Sequence, residues 1–279
     1  MKDKDGAPLR SDLVTFGWRR GPWYALDGTH PAAQEHLAQV FRTMREEWGC
    51  AYFKLDGNFW GAIHGGRFHG AKATRIEAYR RGMQAIRRGA GDAFILGCNH
   101  PIWPSLGLVH GSRSSNDIKR SWERISGTAR QNLLRNWQNG SLWWNDPDAV
   151  VLTGDLGDDQ FLFHLTAIYA TGGMLLSGDD LTALPPARMA LLKRLEPTGV
   201  AARFTDDSLQ LGFASIRNRR LAFVLNWDEA PRSVKIPLLG RCRVHDFFSD
   251  LDLGSHTGVF EPLPLAGRSG RICVCTPEP

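Results

Sequence analysis

Several things are missing from this chain of 279 residues. No stretch approaches the roughly 20 consecutive apolar residues a membrane-spanning helix needs. The opening Met1–Arg10 carries charge but no apolar core of a secretory leader. No basic run is present: the net charge of +5 is spread along the chain, with Arg80-Arg81, Arg87-Arg88 and Arg219-Arg220 as short pairs. A nucleic-acid partner is therefore not expected. The five cysteines, Cys50, Cys98, Cys242, Cys273 and Cys275, are odd in number and form no C-x-x-C pair. They read as reduced thiols of a cytoplasmic protein rather than a disulfide framework or a zinc site. His64, His69, His100 and His110 lack ligand spacing, so no metal is assigned. Internal repeats and low-complexity tracts are absent as well.

What is present is a hydrophobic content of 42%, enough for an ordinary packed core. His30-Pro31 marks a helix start, and Leu37, Val40, Phe41 and Met44 continue it at spacings of three and four. The pattern predicts a strand over Tyr52–Leu55, a helix over Thr74–Arg88 and a strand over Ala93–Leu96. A short strand near Leu108-Val109 and a helix from Ile118 to Trp137 follow. Next come a buried strand at Ala149–Leu152, a helix over Asp159–Ala170, a strand at Met174–Leu176 and a helix at Pro186–Leu195. Such alternation implies a parallel sheet, as a barrel or doubly wound. Beyond Glu196-Pro197 the texture changes to short β-type runs, Leu209–Phe213, Leu221–Leu225, Val234–Ile236, Cys242–Val244 and Arg271–Cys275, punctuated by Asn218 and Gly240. This predicts an α/β part over 1–195 and an antiparallel β domain over 196–279.

The chemistry-bearing residues lie where strands end. Lys54 and Asp56 close an apolar run that Gly57 terminates, and Asp117 closes another, with Arg113 four residues before it. Residues just past the C-terminal ends of parallel strands converge on one edge, where barrel enzymes keep their sites. Two carboxylates there suggest glycoside chemistry: a retaining glycosidase pairs an ionised nucleophile with an acid/base, about 5–5.5 Å apart. Lys54 shares a strand face with Asp56 and brings positive charge to it. Taken alone, either Asp reads more readily as a helix cap or turn former. Trp60, Trp103 and Trp144 are candidates to stack on a sugar ring. Asn145-Asp146-Pro147-Asp148 reads as a turn, and Cys98 as a small buried core residue.

With Tyr52-Phe-Lys-Leu-Asp-Gly-Asn58, Leu96-Gly-Cys98, Arg113-Ser-Ser-Asn-Asp117 and Asn145-Asp-Pro-Asp148 in order, the chain resembles glycoside hydrolase family 36, the α-galactosidases or melibiases. Trp23–Pro31 is similar to the family's lead-in to the nucleophile strand, and Gly172–Asp180 to its last barrel strand. The resemblance implies the equivalents of strands four to eight of a (β/α)8 TIM-type barrel, followed by a small antiparallel β-sandwich. It implies a cofactor-independent enzyme that removes terminal α-linked galactose with retention. Asp56 matches the nucleophile and Asp117 the acid/base; Lys54, Asn58, Cys98 and Arg113 match galactose-subsite positions, and Trp103 is added as a substrate contact. α-N-Acetylgalactosaminidase and galactosyl transfer are the related alternatives. One feature departs from the pattern: no Asp-Asp-Gly-Trp-like strand precedes Trp23. The sequence therefore resembles a member lacking its N-terminal domain and first three barrel strands. Self-association and little activity of the isolated chain are expected from the open barrel edge, and a sugar-binding or partner-dependent remnant is the non-enzymatic reading.

Overall fold

The structure, a computed structural model, describes residues 1–11 and 23–279, and the chain divides into two compact units, Met1–Ser112 and Arg113–Pro279. The first unit begins with an antiparallel pair, β1 (Arg10–Ser11) and β2 (Trp23–Tyr24). Helix α1 (Pro31–Glu46) starts where His30 caps it, the imidazole Nδ1 accepting from Ala32 N at 3.2 Å. Its buried face carries Ala38 and Phe41, and the Phe41 ring meets Phe53 edge-on at 5.1 Å. Strand β3 (Tyr52–Asp56) leads to helix α2 (Arg75–Ala90). Thr74 Oγ1 caps that helix by accepting from Glu77 N at 3.1 Å, a contact worth about 1 kcal/mol. Strands β4 (Phe94–Cys98) and β5 (Gly111–Arg113) complete a parallel ladder. Tyr52 pairs with Phe94, Asp56 with Cys98 and Gly97 with Ser112, which brings the C-terminal ends of β3 and β4 level.

The second unit opens with Arg113, the last residue of β5, and holds helix α3 (Trp122–Arg135) and strand β6 (Trp144–Asp146). Helices α4 (Asp158–Ala170) and α5 (Pro186–Lys193) follow. The antiparallel strands are β7 (Arg203–Phe204), β8 (Leu211–Ile216), β9 (Arg219–Leu225), β10 (Ile236–Asp246), β11 (Asp252–Phe260) and β12 (Gly270–Pro277). They form one six-stranded sheet in the order β11-β10-β12-β9-β8-β7.

Helix α4 organises this unit. It is apolar all round because it is buried on both sides. Phe161, Leu165 and Ile168 pack with Val150, Leu152 and Leu184, while Phe163, Ala167 and Ala170 pack with Leu221, Phe223, Leu225 and Ile272 of the sheet. The opposite sheet face is apolar too, with Ala222, Val224, Ile236, Val244, Cys273 and Cys275 in a third core. Strand β10 slips register between Pro237 and Arg241, where a bulge lets it bend.

Four expectations are corrected here. A two-sheet sandwich is replaced by one sheet with two apolar faces, one under α4 and the other on the core that β10 helps to close; the short alternating runs fit either arrangement. The strand expected near Leu108 lies at Gly111–Arg113, because Leu108 and Val109 are buried in the turn that leads into it. The strand expected at Ala149–Leu152 is buried coil, and the strand itself is Trp144–Asp146. Asp148, at φ 72°, breaks the chain between them. The strand expected at Met174–Leu176 is not a ladder strand; segment 174–178 contributes single bonds, Met174 N donating to Asn145 O (2.9 Å), Val150 N to Leu176 O (2.7 Å) and Gly178 N to Val150 O (2.8 Å). The texture change anticipated after Glu196 coincides with the start of the antiparallel strands, whereas compactness divides the chain at Ser112/Arg113. Among the described residues, no helix is long and apolar enough to cross a membrane.

Candidate functional site

In the first unit Asp56 is the last residue of β3, and Gly57 turns the chain at φ 78°, a conformation that favours glycine. Tyr52, Lys54 and Asp56 alternate with Phe53 and Leu55, so Lys54 and Asp56 share the exposed face while Phe53 is buried. Asp56 Oδ1 accepts from Asn99 Nδ2 at 2.9 Å. Two backbone bonds hold the same turn, Gly57 N to Cys98 O and Phe59 N to Asn99 O, both 3.1 Å. Cys98 is buried directly beside Asp56 in the ladder. The Asn58 amide points to the Met83 sulfur at 3.4 Å. A cavity of about 280 Å³ borders Asp56, walled by Trp23, Tyr24, Asn58, Trp60 and Met83. Trp103 is exposed in the short helical turn that follows β4.

Beneath that turn His100 is buried between two hydroxyls, with Nδ1 2.7 Å from Ser105 Oγ and Nε2 2.9 Å from Ser112 Oγ. Tyr79 OH lies 2.7 Å from Ser105 Oγ. Burial brings the His100 pKa down to about 4, against a smaller opposing effect of the Pro101 backbone, so the imidazole is neutral at pH 7.

In the second unit a single guanidinium gathers three carboxylates. Arg113 lies 2.9 Å from Asp117, 3.0 Å from Asp146 and 3.1 Å from Asp148. The exposures of these side chains separate their roles: 7% for Arg113, 1% for Asp146, 15% for Asp148 and 82% for Asp117. Desolvating Arg113 and Asp146 is costly, and the neighbourhood offsets it with further hydrogen bonds. Asp148 N donates to Asp146 Oδ1 (2.9 Å), and Asp148 itself accepts from Ile118 N (2.7 Å) and Ala149 N (2.8 Å). Asn132 fixes the segment from below, donating to Pro147 O at 2.9 Å and accepting from Ser114 Oγ at 2.6 Å. Asp117 is thus the solvent-exposed member of an otherwise largely buried ion-pair cluster.

The structure places Asp56, Lys54, Asn58, Cys98 and Trp103 in the first unit and Arg113 and Asp117 in the second. Sequence reasoning did not single out Asn99, and it took Asp146 and Asp148 only as part of a turn and of a family motif. The available signals were an Asn directly after a strand and an Asp-Pro-Asp whose spacing admits a tight turn with two inward carboxylates. Among the described residues, no group of three or more His, Cys, Asp or Glu side chains is arranged to hold a metal ion.

No protein-family model matches the chain. It is 23% identical over 213 residues to an α-galactosidase of Oryza sativa subsp. japonica, an alignment that covers 71% of this chain and 48% of that protein. The chain thus spans about half the length of this curated relative. Among solved structures, a GH27 β-L-arabinopyranosidase from Geobacillus stearothermophilus superposes with a TM-score of 0.75 at 15% identity, over 95% of this chain and 67% of that one. An α-galactosidase from Thermus thermophilus, in complex with p-nitrophenyl α-D-galactopyranoside, superposes with a TM-score of 0.56 at 26% identity, over 74% of this chain and 44% of that one. The chain is accordingly similar in sequence to α-galactosidases and shares its α/β fold, with a parallel sheet, with glycoside hydrolases.

Proposed function

We propose that the chain carries the catalytic carboxylates of a retaining glycosidase that releases terminal α-linked galactose. Asp56 is the nucleophile and Asp117 the acid/base; Lys54, Asn58, Cys98, Arg113 and Trp103 contribute to sugar binding. The observation that supports this reading most is the position of Asp56, exposed at the C-terminal end of a parallel strand in a chain that aligns with an α-galactosidase. In the first step Asp56 attacks the anomeric carbon while Asp117 gives its proton to the departing oxygen. In the second, Asp117 takes a proton from water, which attacks the same carbon and frees Asp56. Arg113, locked by Asp146 and Asp148, keeps Asp117 at one address through both steps. The placement of β3 to β6 and segment 174–178 as strands four to eight of a barrel is part of the same proposal. The motifs point to family 36, whereas the β-L-arabinopyranosidase with the same fold is numbered 27; the chemistry proposed needs only the two carboxylates.

A second reading, hydrolysis of β-L-arabinopyranosides, is favoured by that fold neighbour, since this sugar has the ring stereochemistry of α-galactose without the C6 hydroxymethyl. Aryl α-galactoside, α-N-acetylgalactosaminide and β-L-arabinopyranoside separate the readings by relative kcat/KM. Asp56→Asn is expected to abolish turnover of whichever glycoside the parent accepts, because an amide cannot form the glycosyl ester. Near-parental rates in that variant would refute the nucleophile assignment.

A further inference from the structure

We infer that Asn99 is a positioning residue for Asp56: its side-chain amide engages Oδ1 and thereby assigns the attack to Oδ2. This rests on the retaining reading above and names a residue outside the motifs that carry it.

Asn99 follows β4 directly and adopts φ 47°, the left-handed region that Asn tolerates better than most side chains. The backbone there is held from several directions. Cys98 O and Asn99 O accept from Gly57 N and Phe59 N, so the turn after β4 and the turn after β3 are tied together. The next residue, His100, is clamped between Ser105 and Ser112. Its ring also fills the space over Gly97, where an added Cβ would lie 2.6 Å from the imidazole Cδ2. The turn that presents Asn99 is therefore set by buried contacts rather than by solvent. Within it the Asn99 amide reaches Asp56 Oδ1 at 2.9 Å.

The consequence lies in the covalent intermediate. An electron pair of Oδ2 forms the bond to the anomeric carbon as the bond to the leaving oxygen breaks, with Asp117 supplying the proton. Oδ1 then becomes the carbonyl oxygen of the glycosyl ester, still within reach of the Asn99 N–H. When water attacks and Asp117 takes its proton, the C1–Oδ2 bond breaks and its electron pair returns to the Asp56 carboxylate, where the charge spreads over both oxygens. A donor already fixed at Oδ1 stabilises that returning charge without reorganising. Asn99 therefore assists departure of the carboxylate in the second step more than attack in the first.

Two substitutions test this on the full chain with p-nitrophenyl α-galactoside. Asn99→Gly suits the left-handed backbone and removes the donor; Asn99→Asp keeps the shape and, when ionised, offers no donor at all. Removing a charge-assisted hydrogen bond predicts a fall of about 10- to 100-fold in kcat. KM should fall in step as the ester accumulates, leaving kcat/KM within a few-fold of the parent. A burst of nitrophenol should appear, with a galactosyl adduct on the intact mass of the variants. A loss that appears in kcat/KM without burst or adduct would mark a merely structural role and overturn the inference, as would unchanged kinetics. A parent chain with neither turnover nor adduct on any of the three aryl glycosides would overturn the glycosidase reading itself, and this inference with it.

Discussion

At the scale of single residues, exposure separates the three carboxylates around Arg113. Asp146 and Asp148 are committed to the guanidinium and to backbone amides, whereas Asp117 offers most of its surface to solvent. Asp117→Ala leaves the Arg113 contacts to Asp146 and Asp148 in place, and an exposed ion pair contributes only about 0.2–1 kcal/mol, so the thermal midpoint should hardly move. Its kinetics should change by leaving group. An activated aryl galactoside needs little protonation and gives a burst followed by slow turnover, while a poor leaving group stalls in the first step. Added azide should speed the activated substrate; equal loss for both substrates, with no burst and no azide effect, would count against the acid/base role. Asp56, Arg113 and Asp117 drew notice in the sequence because each sits at the end of an apolar run with charge of the opposite sign nearby. Asn99 was not, since its role depends on a left-handed turn and on strand register. Asp146 and Asp148 were read as turn formers because sequence does not reveal that both carboxylates face inward.

At the scale of elements, two buried imidazoles tie loops to neighbouring structure. His100 holds the turn after β4, and His164, inside α4, accepts from Val151 N at 3.2 Å. Burial lowers each from 6.5 to about 4; for His164 the Ala149 backbone, Asp179 and Asp148 oppose this only in part. Between pH 6.5 and about 4 the unfolded chain protonates both side chains while the native chain does not. Stability is thus full above pH 6.5 and falls as pH drops through that window, by the order of 3 kcal/mol for each imidazole. Below it the carboxylates of Asp27 and Asp179 add to the loss. Burial disfavours their charge, but hydrogen bonds from His69 and Thr29, and from Thr153, Arg120 and Leu152, outweigh it and hold both below the usual 3.8. Urea midpoints at pH 7 and pH 4.5 should differ accordingly, and equal midpoints would contradict the neutral-imidazole account. Helices α1, α2 and α4 were readable from periodicity, caps and a continuous apolar run. Strand β11 was not: Asp252–Phe260 lies at the sheet margin, with Gly254 and Gly258 at positive φ and few buried side chains, so it lacks the alternation that marks a half-buried strand.

At the scale of the whole chain, the antiparallel strands share a core with helices that precede them. Phe163, Tyr169 and Ala170 of α4 and Ile125, Ala129 and Leu133 of α3 are buried in one cluster with Phe223, Leu225 and Ile272. A fragment ending at residue 195 would expose that cluster, at a cost of about 25 cal/mol for each Å² of apolar surface uncovered. Expressed alone, 1–195 is expected to aggregate; a soluble, active 1–195 would show the sheet to be dispensable. Sequence texture changes at Glu196 but is silent on this dependence, because α4 displays no polar face from which a single partner could be inferred. The same sealing of the interior bears on how the molecule meets reagents. All five cysteines are free of disulfides, and four of them are buried; Cys273 and Cys275 have thiols pushed up to about 12 and 11, by burial first and then by neighbouring thiols. Cys50, half-buried beyond the end of α1, is the thiol most open to a maleimide. The natural sequence thus already supplies an attachment point for a fluorophore or a surface tether, on the loop that leads into β3 at the end of the strand opposite Asp56.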